Sequence, residues 1–337
     1  MYSDTDTTLG EGAFGKVIKV IDQQGKEYAK KVCTRTKEKY HRHTYYEKEF
    51  MELLKTDPSH EGYAHVVHLV DSARHGSGWS LIMDLYEGDL LSLMKAEYIT
   101  VDDDIVKRGL SEEIVCDIAL HVSAGLAYMN HLGYAHCDLK PENILWKRST
   151  TSQSGYHFSI SDFGNAMKPM TTYYPIQTPR YRSPENILES TSIMSCDMPS
   201  LGCILYQAIT GEYVSNTSDS MEHLESMLDA VGYDLIQQYD MSELPEIQAY
   251  MDKVFFGIGL MNYSFSDLQI SMRKLKYKKA TDLSNLMSMM LLPFPTQRIQ
   301  ANQVHDHTLF RDTIEYEHGT ECNTTGMVME QYITAFY

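Results

Sequence analysis

Asp138, Lys140 and Asn143 stand in one short tract, His136-Cys137-Asp138-Leu139-Lys140-Pro141-Glu142-Asn143. Their types suit chemistry on a transferring phosphoryl group. A carboxylate can orient and deprotonate an attacking hydroxyl, and an ammonium can neutralise charge on the phosphoryl oxygens. An amide oxygen beside a carboxylate can hold a divalent cation. Such catalysis is mainly positioning and electrostatics, so further groups must converge on the same place.

Three other tracts could supply them. Asp162-Phe163-Gly164 follows downstream with a second carboxylate. Gly10-x-Gly12-x-x-Gly15-x-Val17 lies near the start, where glycines let a backbone approach phosphates and present its amides. A dinucleotide turn of that spacing would open a helix. Here the tract runs into the strand-like Lys16-Val17-Ile18-Lys19-Val20, which argues against a dinucleotide site. Ala29-Lys30-Lys31-Val32 comes next, and Lys31 is a candidate phosphate ligand. Taken alone it reads as a solvated strand lysine; the glycine tract just before it reverses that. Its ion-pair partner is expected on the following helix. Glu47 has Phe50, Met51 and Leu54 at helical spacing, which sets it beside a buried face; Glu49 is the rival.

The elements that must position these residues fall into two halves. Residues 8–86 are strand-rich with one amphipathic helix, expected over Thr44 to Lys55. Beyond Tyr86 the pattern is mainly helical. Ser111 reads as an N-cap with Glu112 and Glu113 in the first turn, opening a helix that Gly133 stops. Further helices fit Leu90 to Glu97, Ser200 to Thr210, Ser220 to Val231 and Leu283 to Leu291. Lys147 to Tyr156 reads as a lengthened turn. Met241 to Lys279 reads as an insertion of mixed helix and loop.

The chain has 337 residues, 43% of them hydrophobic, which is enough for a sizeable core. Its 29 Lys+Arg against 46 Asp+Glu give a net charge of −17. That excludes the basic footprint of a nucleic-acid binder and disfavours anionic membranes. It suits a basic protein partner. The six cysteines form no C-x-x-C pair and read as reduced intracellular thiols. No signal peptide or membrane span is evident, so a cytoplasmic or nuclear protein is expected; a monomer is expected as well.

The tract His136 to Asn143 resembles the catalytic loop of eukaryotic protein kinases, H-R-D-x-x-x-x-N, with Cys137 where the family usually has Arg. The glycine tract, Ala29-Lys30-Lys31, Asp162-Phe163-Gly164 and Ser183-Pro184-Glu185 stand in the family's order across roughly residues 8–311. The resemblance implies an α+β, two-lobe kinase fold. A β-rich N-lobe would occupy residues 1–86, a mainly helical C-lobe 87–311 and a tail 312–337. It implies ATP and Mg2+ as cofactors. Gly10, Gly12, Gly15 and Val17 would cover the nucleotide. Ala29 and Leu145 would line the adenine pocket, with Met83 as gatekeeper and the backbone of Asp84 and Tyr86 on the adenine edge. Lys31, paired with Glu47, would hold the α- and β-phosphates. Asn143 and Asp162 would hold magnesium. Asp138 would accept the substrate proton and Lys140 would stabilise the γ-phosphoryl. Glu185 would pair with Arg298.

Within the kinases, H-C-D-L-K-P-E-N-I-L and Ile176-Gln177-Thr178 with Tyr181-Arg182-Ser183 resemble the dual-specificity tyrosine-regulated, homeodomain-interacting and SR-protein kinases of the CMGC group. Lys140 points to serine and threonine as acceptors, with tyrosine left open. Cys137 cannot gather a phosphorylated loop as Arg does, so activity should not need such a clamp. Pro179 replaces an Arg usual in the group, which puts proline-directed specificity in doubt. Pro199 replaces the Trp of D-x-W-S-x-G, which loses a packing contact. Tyr173 and Tyr174 are candidate autophosphorylation sites. The alternative function is a pseudokinase scaffold, suggested by Cys137 and Pro199. A small-molecule kinase is disfavoured by Ser183-Pro184-Glu185.

Overall fold

Alternation of side chains along the first strands decides what faces the cleft. A computed structural model describes residues 2–11, 15–33, 38–75, 78–96, 99–101, 104–106, 109–169, 175–190, 193–240 and 276–311, with single positions at 242, 244, 245, 247, 249 and 272. Five antiparallel strands form the first sheet: β1 (Ser3–Glu11), β2 (Gly15–Ile21), β3 (Glu27–Cys33), β4 (Leu69–His75) and β5 (Gly78–Asp84), in the order β1-β2-β3-β5-β4. Val17 pairs with Lys31, Lys31 with Leu81, and Ala29 with Met83. Side chains two apart share a face, so Val17, Ala29, Lys31, Leu81 and Met83 look the same way. The opposite face carries Ile18, Val20, Tyr28 and Ile82, a small apolar cluster closed by Tyr2.

Helix α1 (Glu38–Leu53) packs on this sheet, chiefly against β5. It starts six residues before the expected Thr44. The Thr44 hydroxyl bonds to the His41 carbonyl and accepts from the Trp79 N–H, tying helix to strand. β1 likewise begins at Ser3, ahead of the expected Thr8.

The second half is mainly helical: α2 (Leu90–Ala96), α3 (Glu112–His131), α4 (Pro184–Ile187), α5 (Asp197–Thr210), α6 (Ser220–Val231), α7 (Tyr233–Ile236) and α8 (Ala280–Leu291). Ser111 caps α3 by accepting from the Ile114 N–H, and Gly133 follows its end at φ 80°. Positive φ is cheap only for glycine, so the stop is encoded locally. Val115, Ile118, Val122, Leu126 and Met129 on α3 are buried at the centre of the main core. β9 (Ile144–Arg148) and β10 (Tyr156–Ile160), between α3 and α4, form a small sheet with β6 (Gly88–Asp89), which precedes α2. Lys147, Arg148 and Tyr156, expected in a turn, are therefore strand residues, and the true connection is shorter. Between α2 and α3, β7 (Ile99–Val101) and β8 (Asp104–Val106) pair as a hairpin.

The α+β, two-lobe kinase fold expected from the sequence is the fold observed. Gly12, Tyr173, Tyr174, most of the 241–279 segment and the tail 312–337 lie outside the described residues. Among the described residues, no helix is long and apolar enough to cross a membrane.

Candidate active site

One face of α1 builds the upper half of the site. His43, Glu47 and Phe50 recur at i, i+4 and i+7, so they form a single stripe. The His43 ring packs on Gly164, where a Cβ would stand 1.7 Å from the ring. Phe50 meets Phe163 at 5.4 Å between ring centroids. Between them the Glu47 carboxylate lies 2.6 Å from the Lys31 Nζ. Glu49 is half a turn away, exposed and paired with Lys48. The hydrophobic stripe thus decides which glutamate turns inward.

Lys31 also reaches the Asp162 Oδ1 at 2.6 Å. Burial alone would lower the pKa of the Lys31 ammonium; the two carboxylates more than offset this and raise it. Burial pushes the Asp162 carboxyl up, but Lys31 outweighs it and the net value falls to about 2. Glu47 is held above the usual carboxylate range by its burial, which Lys31 offsets only in part. Its Oε2 is buried with no hydrogen-bond partner.

The lower half is a set of tight backbone connections. His136 accepts the Asp138 N–H at Nδ1 and gives its Nε2 proton to the Ser161 carbonyl at 2.9 Å. The Ser161 N–H and hydroxyl both bond to the Asn143 carbonyl. These bonds hold the 136–143 tract against the segment leading to Asp162, which sits at φ 60°. The Asp138 carboxylate is the focus. Its Oδ1 accepts from the Thr178 N–H at 3.0 Å and the Thr178 hydroxyl at 2.7 Å. Its Oδ2 accepts from Lys140 at 3.2 Å and Asn165 at 3.4 Å. The Asn143 amide nitrogen donates to the Asp138 carbonyl at 2.9 Å.

Beneath this lies a support that sequence reasoning missed. Asp197 is buried, and its two carboxylate oxygens accept from the backbone N–H groups of His136 and Cys137, at 2.7 and 3.0 Å. It begins α5, where a carboxylate is favoured. Its one signal in the sequence is its place in a motif with Ser200 and Gly202, which does not name its partners. Pro199 fits the first turn of the same helix, buried. Gln177, at φ 66°, donates to the Cys196 carbonyl and the Ser200 hydroxyl and accepts from Ser183 and Asn186. Arg182 bonds to the Ile176 and Gln177 carbonyls, so the segment bearing Thr178 is fixed from both sides. Glu185 and Arg298 form a bidentate pair at 2.8 and 2.9 Å.

The remaining candidates lie on β1, β2, β3, β5 and β9 or just past a strand end. Gly15 lies against the Val32 carbonyl, where a Cβ would stand at 1.9 Å; Gly10 faces open space. The Asp84 N–H is taken by the His68 carbonyl, with Tyr86 just beyond. Leu145, on β9, is partly buried against the main core.

The chain belongs to the protein kinase family: the model of the protein kinase domain matches residues 3–310. It is similar to the human "Dual specificity tyrosine-phosphorylation-regulated kinase 3", 29% identical over 66% of this chain and 36% of that protein. It is also similar to the yeast (Saccharomyces cerevisiae) "Dual specificity protein kinase YAK1", 29% identical over 70% of this chain and 28% of that one. The Arabidopsis thaliana "Serine/threonine-protein kinase AFC3" is 29% identical over 66% of this chain and 58% of its own. The chain thus spans less than two thirds of the length of these curated relatives.

Protein kinases use ATP with Mg2+, and the donor set here fits the metal. Asn143 spends its amide nitrogen on Asp138, leaving its oxygen available. Asp162 gives one oxygen to Lys31, leaving the other. Two hard oxygen donors on adjoining segments suit Mg2+, which keeps several waters and shares phosphate oxygens.

Proposed function

We propose that the chain is an ATP- and Mg2+-dependent protein kinase acting on serine and threonine hydroxyls, with tyrosine as a possible second acceptor. The observation that carries this is the convergence on Asp138. Thr178 and Lys140 hold its carboxylate, while Lys31 joins Glu47 to Asp162 opposite. Asp138 orients a substrate hydroxyl and accepts its proton. Lys140 stands beside the transferring group and offsets its charge. Lys31 holds the α- and β-phosphates, with Glu47 fixing its direction. Asn143 and Asp162 hold magnesium, which supplies charge neutralisation on the phosphates when bound. Gly10, Gly12, Gly15 and Val17 cover the nucleotide. Ala29, Leu145 and Met83 enclose adenine, and the Asp84 and Tyr86 backbone reads its edge.

The lobes are assigned to residues 1–86 and 87–311. The net charge of −17 favours basic, Arg-rich protein substrates met inside the cell. The names of the relatives include both serine/threonine and dual-specificity enzymes, which supports the acceptor range. The scaffold reading gains nothing from Cys137 or Pro199. Both are buried, and the Asp197 carboxylate at the start of the helix that holds Pro199 accepts from the backbone N–H groups of His136 and Cys137.

The test is transfer of labelled phosphate from ATP to a basic generic protein, with Asp138→Asn as control. A loss of about 10²–10⁴-fold in the variant is expected. No transfer by the parent, or equal transfer by the variant, overturns the reading. An array preferring acidic flanks would overturn the basic-substrate part alone.

A further inference from the structure

Three histidines outside the catalytic machinery meet where three elements join. His65 ends the 3-10 turn Glu61–His65, His121 lies within α3, and His157 lies on β10. Two glycines allow the approach. A Cβ on Gly62 would stand 2.0 Å from the Ala124 carbonyl oxygen, and one on Gly125 would stand 2.6 Å from that of His65. The turn therefore lies directly on the helix backbone. Gly125 is one helical turn beyond His121 on the same face, so His65 is delivered over His121. Their rings are 4.4 Å apart and nearly parallel at 17°. His157 faces His65 at 4.8 Å. One ring nitrogen of each histidine lies within 4.8 Å of one from each of the others.

The backbone selects the tautomers of two of them. His65 Nδ1 lies 3.2 Å from the Phe158 carbonyl oxygen, and His157 Nε2 lies 2.9 Å from that of Ala64. A carbonyl only accepts, so these nitrogens carry the protons. Nε2 of His65 and Nδ1 of His157 then keep their lone pairs. A ring whose far N–H is held by a backbone carbonyl is the usual state of a metal-ligating histidine. His121 Nδ1 accepts a long bond, 3.4 Å, from the Phe158 N–H, and coordination gives up only that. Burial lowers the pKa of His65 to about 4 and of His121 to about 3, so both rings are neutral, the ligating form. Asp117 acts on His157 favourably for a cation, and Lys147 opposes it.

We propose that His65, His121 and His157 form a three-imidazole site for a borderline transition-metal dication, with Zn2+ the best fit and water as the fourth ligand. Such an ion would pin the turn that links α1 to β4 onto α3 and β10. It would therefore brace the segment behind Glu47 without touching the phosphoryl-transfer residues.

Co2+ added alone to the full chain tests this. A nitrogen-rich tetrahedral cobalt centre absorbs strongly in the visible; an oxygen-ligated octahedral one, as expected at Asn143 and Asp162, absorbs weakly. One equivalent of strongly absorbing Co2+ is expected, displaced by Zn2+ and retained in Asp162→Asn. His121→Gln should weaken it by at least about tenfold, the lower bound for losing even a supporting partner. His157→Gln, on the edge strand β10, gives the same readout if His121→Gln does not fold. Absence of the band in the parent, its persistence in a folded histidine variant, or its loss in Asp162→Asn overturns the proposal.

Discussion

Two buried ion pairs in this chain are built to opposite ends. Arg298 meets Glu185 through both terminal nitrogens and gives its remaining N–H groups to the carbonyls of Leu292, Pro293 and Ser195. All five guanidinium donors are used, and both partners are fully buried. Lys31 instead faces two carboxylates with one charge, and one buried oxygen of Glu47 has no partner. The first arrangement is closed and structural. The second carries surplus negative charge at the mouth of the cleft, and a cation or a phosphate-bound metal would complete it. Completeness of hydrogen bonding, more than burial, separates the structural pair from the working one.

The contrast breaks most sharply at Arg298. Arg298→Met takes the guanidinium donors away from a buried carboxylate and three carbonyls, and should cost about 3–5 kcal/mol. Glu185→Leu with Arg298→Met should recover most of that, because well-packed apolar pairs replace buried ion pairs at little cost. Urea denaturation measures both. An Arg298→Met protein as stable as its parent would mean that the pair is not the structural member.

Lys31→Met should act the other way round. It removes the positive charge at the site of developing phosphate charge, so kcat/KM should fall by about 10²–10³-fold. Unfolding should remain cooperative, since Asp162 is partly exposed and can take water, while the buried Glu47, whose carboxyl is already held above its usual range, can take a proton. Initial-rate kinetics beside a denaturation curve separates the two effects; unfolding alone would make Lys31 a structural residue.

Glu47→Gln sharpens the comparison within the cleft. Glutamine keeps the shape and loses the charge. Burial opposes the charge on Glu47, so removing that charge should move stability by no more than about 1 kcal/mol. Activity should still drop about tenfold or more, near 1.4 kcal/mol, because Lys31 then leans wholly on Asp162. A large loss of stability with full activity would reverse the assignment.

Much of this was legible in the sequence because local rules and motif order agree. Ser111 and Gly133 mark the ends of α3 by cap chemistry. The stripe Phe50, Met51 and Leu54 turns Glu47 inward, and Pro295 to Ile299 carries Arg298. What escaped depends on contacts between segments distant in sequence. The hydrogen bonds from His136 and Cys137 to Asp197 join residues some sixty positions apart, and nothing local marks an aspartate as their acceptor. His43 was missed because the expected helix, starting at Thr44, left it just outside. The trio His65, His121 and His157 follows no ligand spacing. It exists because Gly62 and Gly125 let a turn rest on a helix, a fact of packing. The turn expected over Lys147 to Tyr156 erred at its edges, where pairing of β9 with β10 overrides a polar composition.

The smallest expected effect concerns Cys137, the departure that first suggested a scaffold. Its side chain is buried with Ala135, Ile193 and Cys196, flanked by Met167 and Ile176. Its backbone carries the connections: the N–H goes to Asp197 and the carbonyl accepts from the Gln177 N–H. With φ at 64°, it turns the chain so that both are reached. Gln177 and Arg182 then fix the Thr178 segment through neutral groups and backbone carbonyls, with no anion required. Phosphatase-treated protein should therefore keep its rate within about threefold, less than ~1 kcal/mol. Cys137→Ala, which keeps the backbone and the apolar setting, should do the same. Initial rates before and after phosphatase treatment decide it. A collapse of turnover on dephosphorylation would show that an anion completes this segment after all, and that the neutral network around Gln177 does not hold Thr178 on Asp138 by itself.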